Sequence, residues 1–331
     1  MAERILFNDN WQFKMGEAEP IFRERSKAGI AGGPSDLTIR EGNRPAVSEL
    51  LDAVSGENPG KEVYHLLDDL EPGWEEVTLP HDWTAAQSCL QTEEAAYGYR
   101  ERKEGWYRKK FFAPREWKQQ RVSLEAEGIM RNASVWLNGF YLKSHFSGYT
   151  GFETDLTDYL RWEEDGQENV LLIRADNRIQ EGWWEEGGGI YRNLWLCARP
   201  FCHFKRHGVF VYTSELERNK AVITVEGEVE NETMMEHGLT MRHEIREESQ
   251  KIVAEVAGEV SCQPMDKASC KLSATVKNPI LWEAEHPYRY TLISTLADEK
   301  GNLLEKEVTK FGIRSLEYRE DGLYWNGQQV E

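Results

Sequence analysis

The residues best suited to chemistry lie together in Trp183-Trp184-Glu185-Glu186-Gly187-Gly188-Gly189. An indole face covers the apolar C–H side of a pyranose, and carboxylates accept hydrogen bonds from its hydroxyls. Two tryptophans beside two acids therefore make a candidate wall for a saccharide. Three successive glycines cost backbone entropy that a plain connection would not spend. They fit a chain that turns with positive φ or passes close to another backbone or a ligand. A plainer reading has Trp183 and Trp184 plugging the end of a β-sandwich while the acids face water. Hydrolysis with retention makes a further demand, two carboxyls about 5–5.5 Å apart that face each other across the bond. Glu185 and Glu186 are neighbours, and neighbours in extended chain point to opposite faces, so they are poorly placed to flank one bond.

Other chemistries find less support. His81 has no acid-and-nucleophile company, which argues against a catalytic dyad. His65, His145, His203, His207, His237, His243 and His286 do not show ligand spacing for a metal. The glycine run lacks the Lys-Ser/Thr of a phosphate loop, and neither nucleotide nor other cofactor is indicated. The five cysteines, Cys89, Cys197, Cys202, Cys262 and Cys270, contain no CxxC pair, and reduced structural thiols are expected. The 58 acidic against 40 basic residues leave a net charge of −18, the wrong sign for a nucleic-acid partner. Twelve tryptophans suit stacking on carbohydrate and aromatic β-sandwich cores equally well.

The elements that must position these residues read as short strands. Val170–Ala175 and Ile190–Leu196 are apolar runs of strand length on either side of the tryptophan-glycine segment. Val122, Leu124 and Ala126 alternate with Arg121, Ser123 and Glu125, the period of a half-buried strand. Asn138-Gly139 between Ser134–Leu137 and Phe140–Leu142 is the strongest hairpin signal, since both turn residues tolerate positive φ. Asp155–Leu160 is expected to form one helical turn. Beyond a boundary at Pro200–His207, further strands are expected at Ala221–Val225, Leu239–Ile245, Lys271–Val276, Tyr288–Leu296 and Leu304–Lys310. About seven strands of this length make an immunoglobulin-like sandwich. His243–Lys251 reads as a solvated hairpin, and Leu323–Val330 as a last hairpin around Asn326-Gly327.

DNR at Asp176, GWWEEGGGIYR at Gly182 and the LWL that follows resemble the N-terminal sugar-binding domain of glycoside hydrolase family 2, the β-galactosidases and β-glucuronidases. NDNWQF at Asn8, LPHDW at Leu79, GWYRKKF at Gly105, VWLNG at Val135 and SGYTGFETDLT at Ser147 agree in order. So do PILWEAEHPYRYTL at Pro279, FGIR at Phe311 and LYWNGQQV at Leu323. The resemblance implies an all-β chain: a jelly-roll β-sandwich over 1–204, an immunoglobulin-like β-sandwich over 205–312, and in 313–331 the entrance to a (β/α)8 barrel. That barrel would carry both catalytic glutamates, so no catalytic residue is expected here, and the reading frame is expected to run on past Glu331. Asp82 matches the HDW position from which family members reach the sugar, although a turn or cap aspartate after Pro80 is an equal alternative. Trp184 and Glu186 are expected to shape the same pocket. Arg192 is expected to pair with a buried acid and hold the glycine turn.

Residues 17–70 exceed the family's usual connection and contain a helical signal at Val47, Leu50, Leu51 and Val54. The partner implied is a β-galactoside or β-glucuronide, with a free-standing carbohydrate-binding module or a purely structural module as alternatives. No signal-peptide pattern opens the sequence and no apolar run has membrane-spanning length, so a cytoplasmic protein without a membrane partner is expected. An apolar face for barrel docking would support a homo-oligomer.

Overall fold

A computed structural model of the chain describes residues 2–16, 66, 72–93, 95, 98–178 and 186–330. The chain divides into two compact units at Ala198/Arg199. In the first, β1 (Glu3–Leu6), β2 (Trp11–Met15), β3 (Glu75–Val77) and β4 (Glu104–Phe111) are followed by β5 (Arg121–Ala126), β6 (Ala133–Leu137) and β7 (Phe140–His145). Then come β8 (Phe152–Asp155), β9 (Asn169–Asp176) and β10 (Leu194–Arg199). They form a four-stranded sheet, β1-β10-β5-β8, and a six-stranded sheet, β3-β2-β4-β9-β6-β7. This is a β-sandwich, with Trp11, Phe13, Tyr107, Leu124, Leu137, Leu171 and Ile173 in its core. The one α-helix among the described residues is α1 (Trp83–Ala86), a single turn. No helix among them is long and apolar enough to cross a membrane.

The outer face of the six-stranded sheet is also covered. Trp106, Trp136 and Leu172 are buried there against Leu66, the one described residue of the 17–70 segment. Arg108 lies in the same layer, donating to Gln12 Oε1 and Leu66 O with its guanidinium over the Trp74 ring. The helical signal at Val47–Val54 lies outside the described residues.

Local turn chemistry gives the hairpin its shape. Asn138 and Gly139 have φ of 54° and 89°, as a type I′ turn requires. The Asn138 side chain adds donation to Tyr159 O and acceptance from Val170 N, roles a glycine could not fill. The turn expected at Asp155–Leu160 is a 3₁₀ turn, Thr157–Tyr159, with Asp155 Oδ1 accepting from Thr157 N. β5 departs from its alternating pattern, because Ser123 and Glu125 are buried as fully as Val122 and Leu124. β5 lies inside its sheet between β10 and β8, and Glu125 accepts from Arg4 Nε on β1. The second apolar run is strand only from Leu194, with Ile190 buried ahead of it.

The second unit begins with β11 (Cys202–Glu217), β12 (Lys220–Asn231), β13 (His237–Arg246) and β14 (Ile252–Cys262). It continues with β15 (Lys267–Lys277), β16 (Tyr290–Asp298) and β17 (Leu303–Phe311). Sheets β11-β12-β15 and β14-β13-β16-β17 make an immunoglobulin-like sandwich of three and four strands around Ile223, Val225, Ile245, Leu292 and Phe311. β14 has no counterpart among the sequence expectations. Its apolar residues are diluted with Ala, Gly and Glu, and it is recognisable only by its pairing with β13. A meander of β18 (Leu316–Arg319), β19 (Gly322–Trp325) and β20 (Gln328–Val330) follows. The Trp325 ring lies tilted against that of Trp282, ring centres 5.1 Å apart, with Arg314 beside both rings.

His243 on β13 is buried between the sheets of this unit. One nitrogen shares a hydrogen with Ser294 Oγ on β16 at 2.8 Å, and Nε2 has no hydrogen-bond partner among the described residues. Its Nε2 points toward Gly227 on β12, where a Cβ would stand 3.8 Å away. Burial lowers its pKa from 6.5 to about 4. The folded state therefore excludes a proton that the unfolded chain binds below pH 6.5, so stability is full above that pH and declines as pH falls toward 4. Between pH 7.5 and 4.5 this imidazole is expected to remove about 2–3 kcal/mol. Urea midpoints across that range should fall less steeply in His243→Gln than in the parent.

Candidate functional site

Asp82 caps α1: its Oδ1 accepts from Thr84 N at 2.9 Å and Ala85 N at 3.1 Å. The same oxygen accepts from Gly188 N at 3.0 Å, joining two segments far apart in sequence. Backbone bonds run beside it, from His81 N to Ile190 O and from Trp83 N to Gly188 O. On the other side of the glycine segment, Met130 and Gly189 exchange both of their backbone bonds. The glycines are thus held between two stretches of main chain. A Cβ on Gly187 would stand 2.3 Å from Asp82 Oδ2, and one on Gly188 2.6 Å from Thr84 Oγ1. At Gly189, with φ of 122°, it would stand 2.4 Å from the Tyr107 hydroxyl. Close approach on every side accounts for the run.

Three polar side chains complete the turn. Asn177, fully buried, donates to Thr84 Oγ1 and Gly187 O and accepts from Lys103 N. His81 shares a hydrogen with the Tyr107 hydroxyl at 2.8 Å, and burial lowers the imidazole pKa while raising that of the phenol. Both groups are neutral at pH 7. Glu186 enters a cleft between two arginines, with Arg102 Nη1 2.6 Å from Oε2 and Arg131 Nη1 3.6 Å from Oε1. All three side chains are under one-tenth exposed.

Of the site residues read from sequence, the structure brings Asp82 and the glycine run together and places Glu186 beside them, its carboxylate between guanidiniums. Trp183, Trp184 and Glu185 lie outside the described residues. The arginine expected to hold the turn needs correcting. Arg192 donates to the carbonyls of Glu127 and Tyr149, and Glu186 is held by Arg102 and Arg131. Arg102 lies just before β4, Tyr107 on β4, Arg131 just before β6 and Asn177 just after β9, separations at which spacing carries no signal.

A second group of carboxylates sits at the β4–β9 edge. Arg178 Nη2 lies 3.1 Å from Glu104 Oε2 and 2.7 Å from Asp176 Oδ2. Burial raises the Glu104 pKa. Burial pushes Asp176 up too, but its bonds to Arg178 outweigh that and leave it below the ordinary value. Acid-base enzymes set paired carboxyls apart in this way. Here one guanidinium nitrogen stands between the two, in the space a glycosidic oxygen would need, and Glu104 Oε1 already accepts from Trp106 Nε1. The arrangement is an ion-pair network. Cys89, three residues beyond α1, is the exposed thiol of the five; Cys197, Cys202 and Cys262 are buried and Cys270 is half-buried.

The family model described as "Glycosyl hydrolases family 2, sugar binding domain" matches residues 83–200, and the one described as "Glycosyl hydrolases family 2" matches residues 203–314. The chain belongs to glycosyl hydrolase family 2. It is similar to a β-galactosidase of Bacteroides ovatus, 31% identical over 281 residues, which cover 81% of this chain and 32% of the relative. A β-glucuronidase of Formosa agariphila is 26% identical over 286 residues, 78% of this chain and 28% of its own length. The solved structure of a family 2 member from Bacteroides cellulosilyticus is similar with a TM-score of 0.76 at 25% identity, covering 98% of this chain and 38% of that one. The chain spans about a third of the length of the curated family 2 relatives it matches.

Two outcomes test the geometry of this family 2 turn. Gly187→Ala should cost about 1–3 kcal/mol, the range for overpacking, and less on an Asp82→Ala background where the crowding oxygens are gone. A double-mutant cycle in urea would show that coupling. Glu186→Ala, which takes the carboxylate from between two buried guanidiniums, should cost about 3–5 kcal/mol by the same measurement.

Proposed function

We propose that this chain is the sugar-facing, non-catalytic part of a β-galactosidase-like or β-glucuronidase-like glycosidase. The observation that carries the reading is the asymmetry of the Asp82 carboxylate. Oδ1 accepts three backbone hydrogens, whereas Oδ2 accepts none from the described residues. An oxygen oriented this rigidly is a ready acceptor for a sugar hydroxyl, with its orientation already fixed before binding. Trp184 would cover the sugar's apolar face. Glu186 would act through its arginines, holding the wall in place.

Residues 1–204 would be the jelly-roll domain, 205–312 the immunoglobulin-like domain, and 313–331, with β18–β20, the opening of a (β/α)8 barrel whose two glutamates cleave the bond. A cytoplasmic location and self-association belong to the same proposal, and a monodisperse monomer in sedimentation at high concentration would count against the latter. A free-standing carbohydrate-binding module is the second reading.

Titration of galactosides and glucuronides against the chain, followed by tryptophan fluorescence, tests the site. Asp82→Asn keeps a good helix cap but places an amide where the free oxygen was. Its thermal midpoint should hardly move while sugar affinity falls by about tenfold, the loss of roughly one charge-assisted hydrogen bond. No response from the parent at millimolar sugar would favour a scaffold role. Turnover of a nitrophenyl glycoside by this polypeptide, abolished by changing one of its own acids, would overturn the non-catalytic assignment.

A further inference from the structure

His203, Glu230 and Glu232 in the second unit bring one imidazole nitrogen and two carboxylate oxygens to within 4.8 Å of one another. The strand register causes this. His203 on β11 lies directly opposite Glu230 on β12. Side chains two apart on a strand share a face, so Glu232 joins them, and its N–H donation to Phe201 O at 2.9 Å continues the pairing past the end of β12. The ring is 1% exposed and cannot turn to water.

The tautomer of that ring is decided by its neighbour. Nδ1 is 3.0 Å from Pro200 O. A carbonyl only accepts, so Nδ1 carries hydrogen and the neutral ring presents its lone pair at Nε2. This is the arrangement by which a backbone carbonyl readies a histidine to ligate. Nε2 faces Glu230 Oε2 at 3.8 Å. An imidazole nitrogen and a carboxylate oxygen turned toward one another at that distance can share a cation, either a proton or a metal ion. The other Glu230 oxygen is 2.7 Å from Lys267 Nζ, which orients the carboxylate.

We propose that His203, Glu230 and Glu232 form a binding site for a first-row divalent transition ion, with Zn2+ the best match to one imidazole and two carboxylates. Imidazole selects against Mg2+ and Ca2+, which take oxygen donors. Bond lengths of about 2.0–2.2 Å would draw the three donors to about 3.3–3.6 Å apart, a movement that rotation of two half-buried glutamates supplies. A water would complete a tetrahedron. The ion would fasten the start of β11 to the end of β12, a role that stands apart from the carbohydrate reading and does not depend on it.

The probes are Zn2+ and Co2+ added to the metal-stripped chain in a Cys89→Ser background, which removes the exposed thiol. Calorimetry should give one saturable Zn2+ site, and the thermal midpoint should rise with Zn2+ but not with Mg2+ or Ca2+. The Co2+ complex should show visible ligand-field bands without thiolate charge transfer. Glu232→Gln and Glu230→Gln should each weaken Zn2+ by at least about tenfold, while near-ultraviolet dichroism reports an intact fold. His203→Gln should abolish the site. Absence of one-to-one Zn2+ binding to the parent would overturn the proposal. So would affinity undiminished in the Glu230→Gln/Glu232→Gln double variant, or a thiolate band in the Co2+ spectrum. If His203 titrates by NMR with a raised pKa that excess Zn2+ leaves unmoved, a proton fills the gap and the proposal also fails.

Discussion

One carboxylate oxygen holds the candidate site together. Asp82 Oδ1 gathers N–H groups from the start of α1 and from Gly188, and the main chains of the LPHDW turn and the glycine run are thereby bonded side by side. Nearly everything else at the site follows from that proximity. Side chains at 187–189 would collide with Asp82, Thr84 and Tyr107, so the segment is glycine. Asn177, fully buried, satisfies Gly187 O and Lys103 N from within the turn.

The buried charge beside it has a different character. Two arginines and a glutamate out of water incur a large desolvation cost, which their mutual attraction offsets only when the geometry is good. Such a group adds little net stability, but it strongly disfavours any arrangement that separates its members. Glu186 precedes the glycine run directly, and Arg102 and Arg131 come from the segments that lead into β4 and β6. The network therefore fixes where the chain enters the turn, a question of register more than of affinity. The Glu104–Arg178–Asp176 network does the same at the neighbouring strand edge.

Features legible in the sequence are those set by residues close in the chain. Asn138-Gly139 announced its hairpin because the turn geometry lies in its own two φ angles. The two sandwiches were legible from strand length and from the family motifs. β5 was misjudged because the burial of Ser123 and Glu125 depends on β1, β8 and β10, which its own alternation cannot reveal. Arg102 and Arg131 went unnoticed because they stand 84 and 55 residues before Glu186. Tryptophan count was ambiguous for the same reason. Trp11, Trp83, Trp106, Trp117 and Trp136 are all core residues, so abundance alone did not point to a ligand. His203 lies 27 residues before Glu230, and only the β11–β12 register makes them neighbours.

The distribution of thiols gives the molecule a built-in point of attachment. Burial pushes the Cys202 thiol up to about 12, which keeps it protonated and unreactive, and it raises Cys262 as well. Cys89 stands alone in the open, bonded weakly to Gly98 O and a short step from the helix that Asp82 caps. A maleimide dye would therefore couple there in preference to the rest. Its emission would register movement of the LPHDW turn without any engineered residue, so occupancy of that turn could be followed in a chain whose many indoles blur an intrinsic signal.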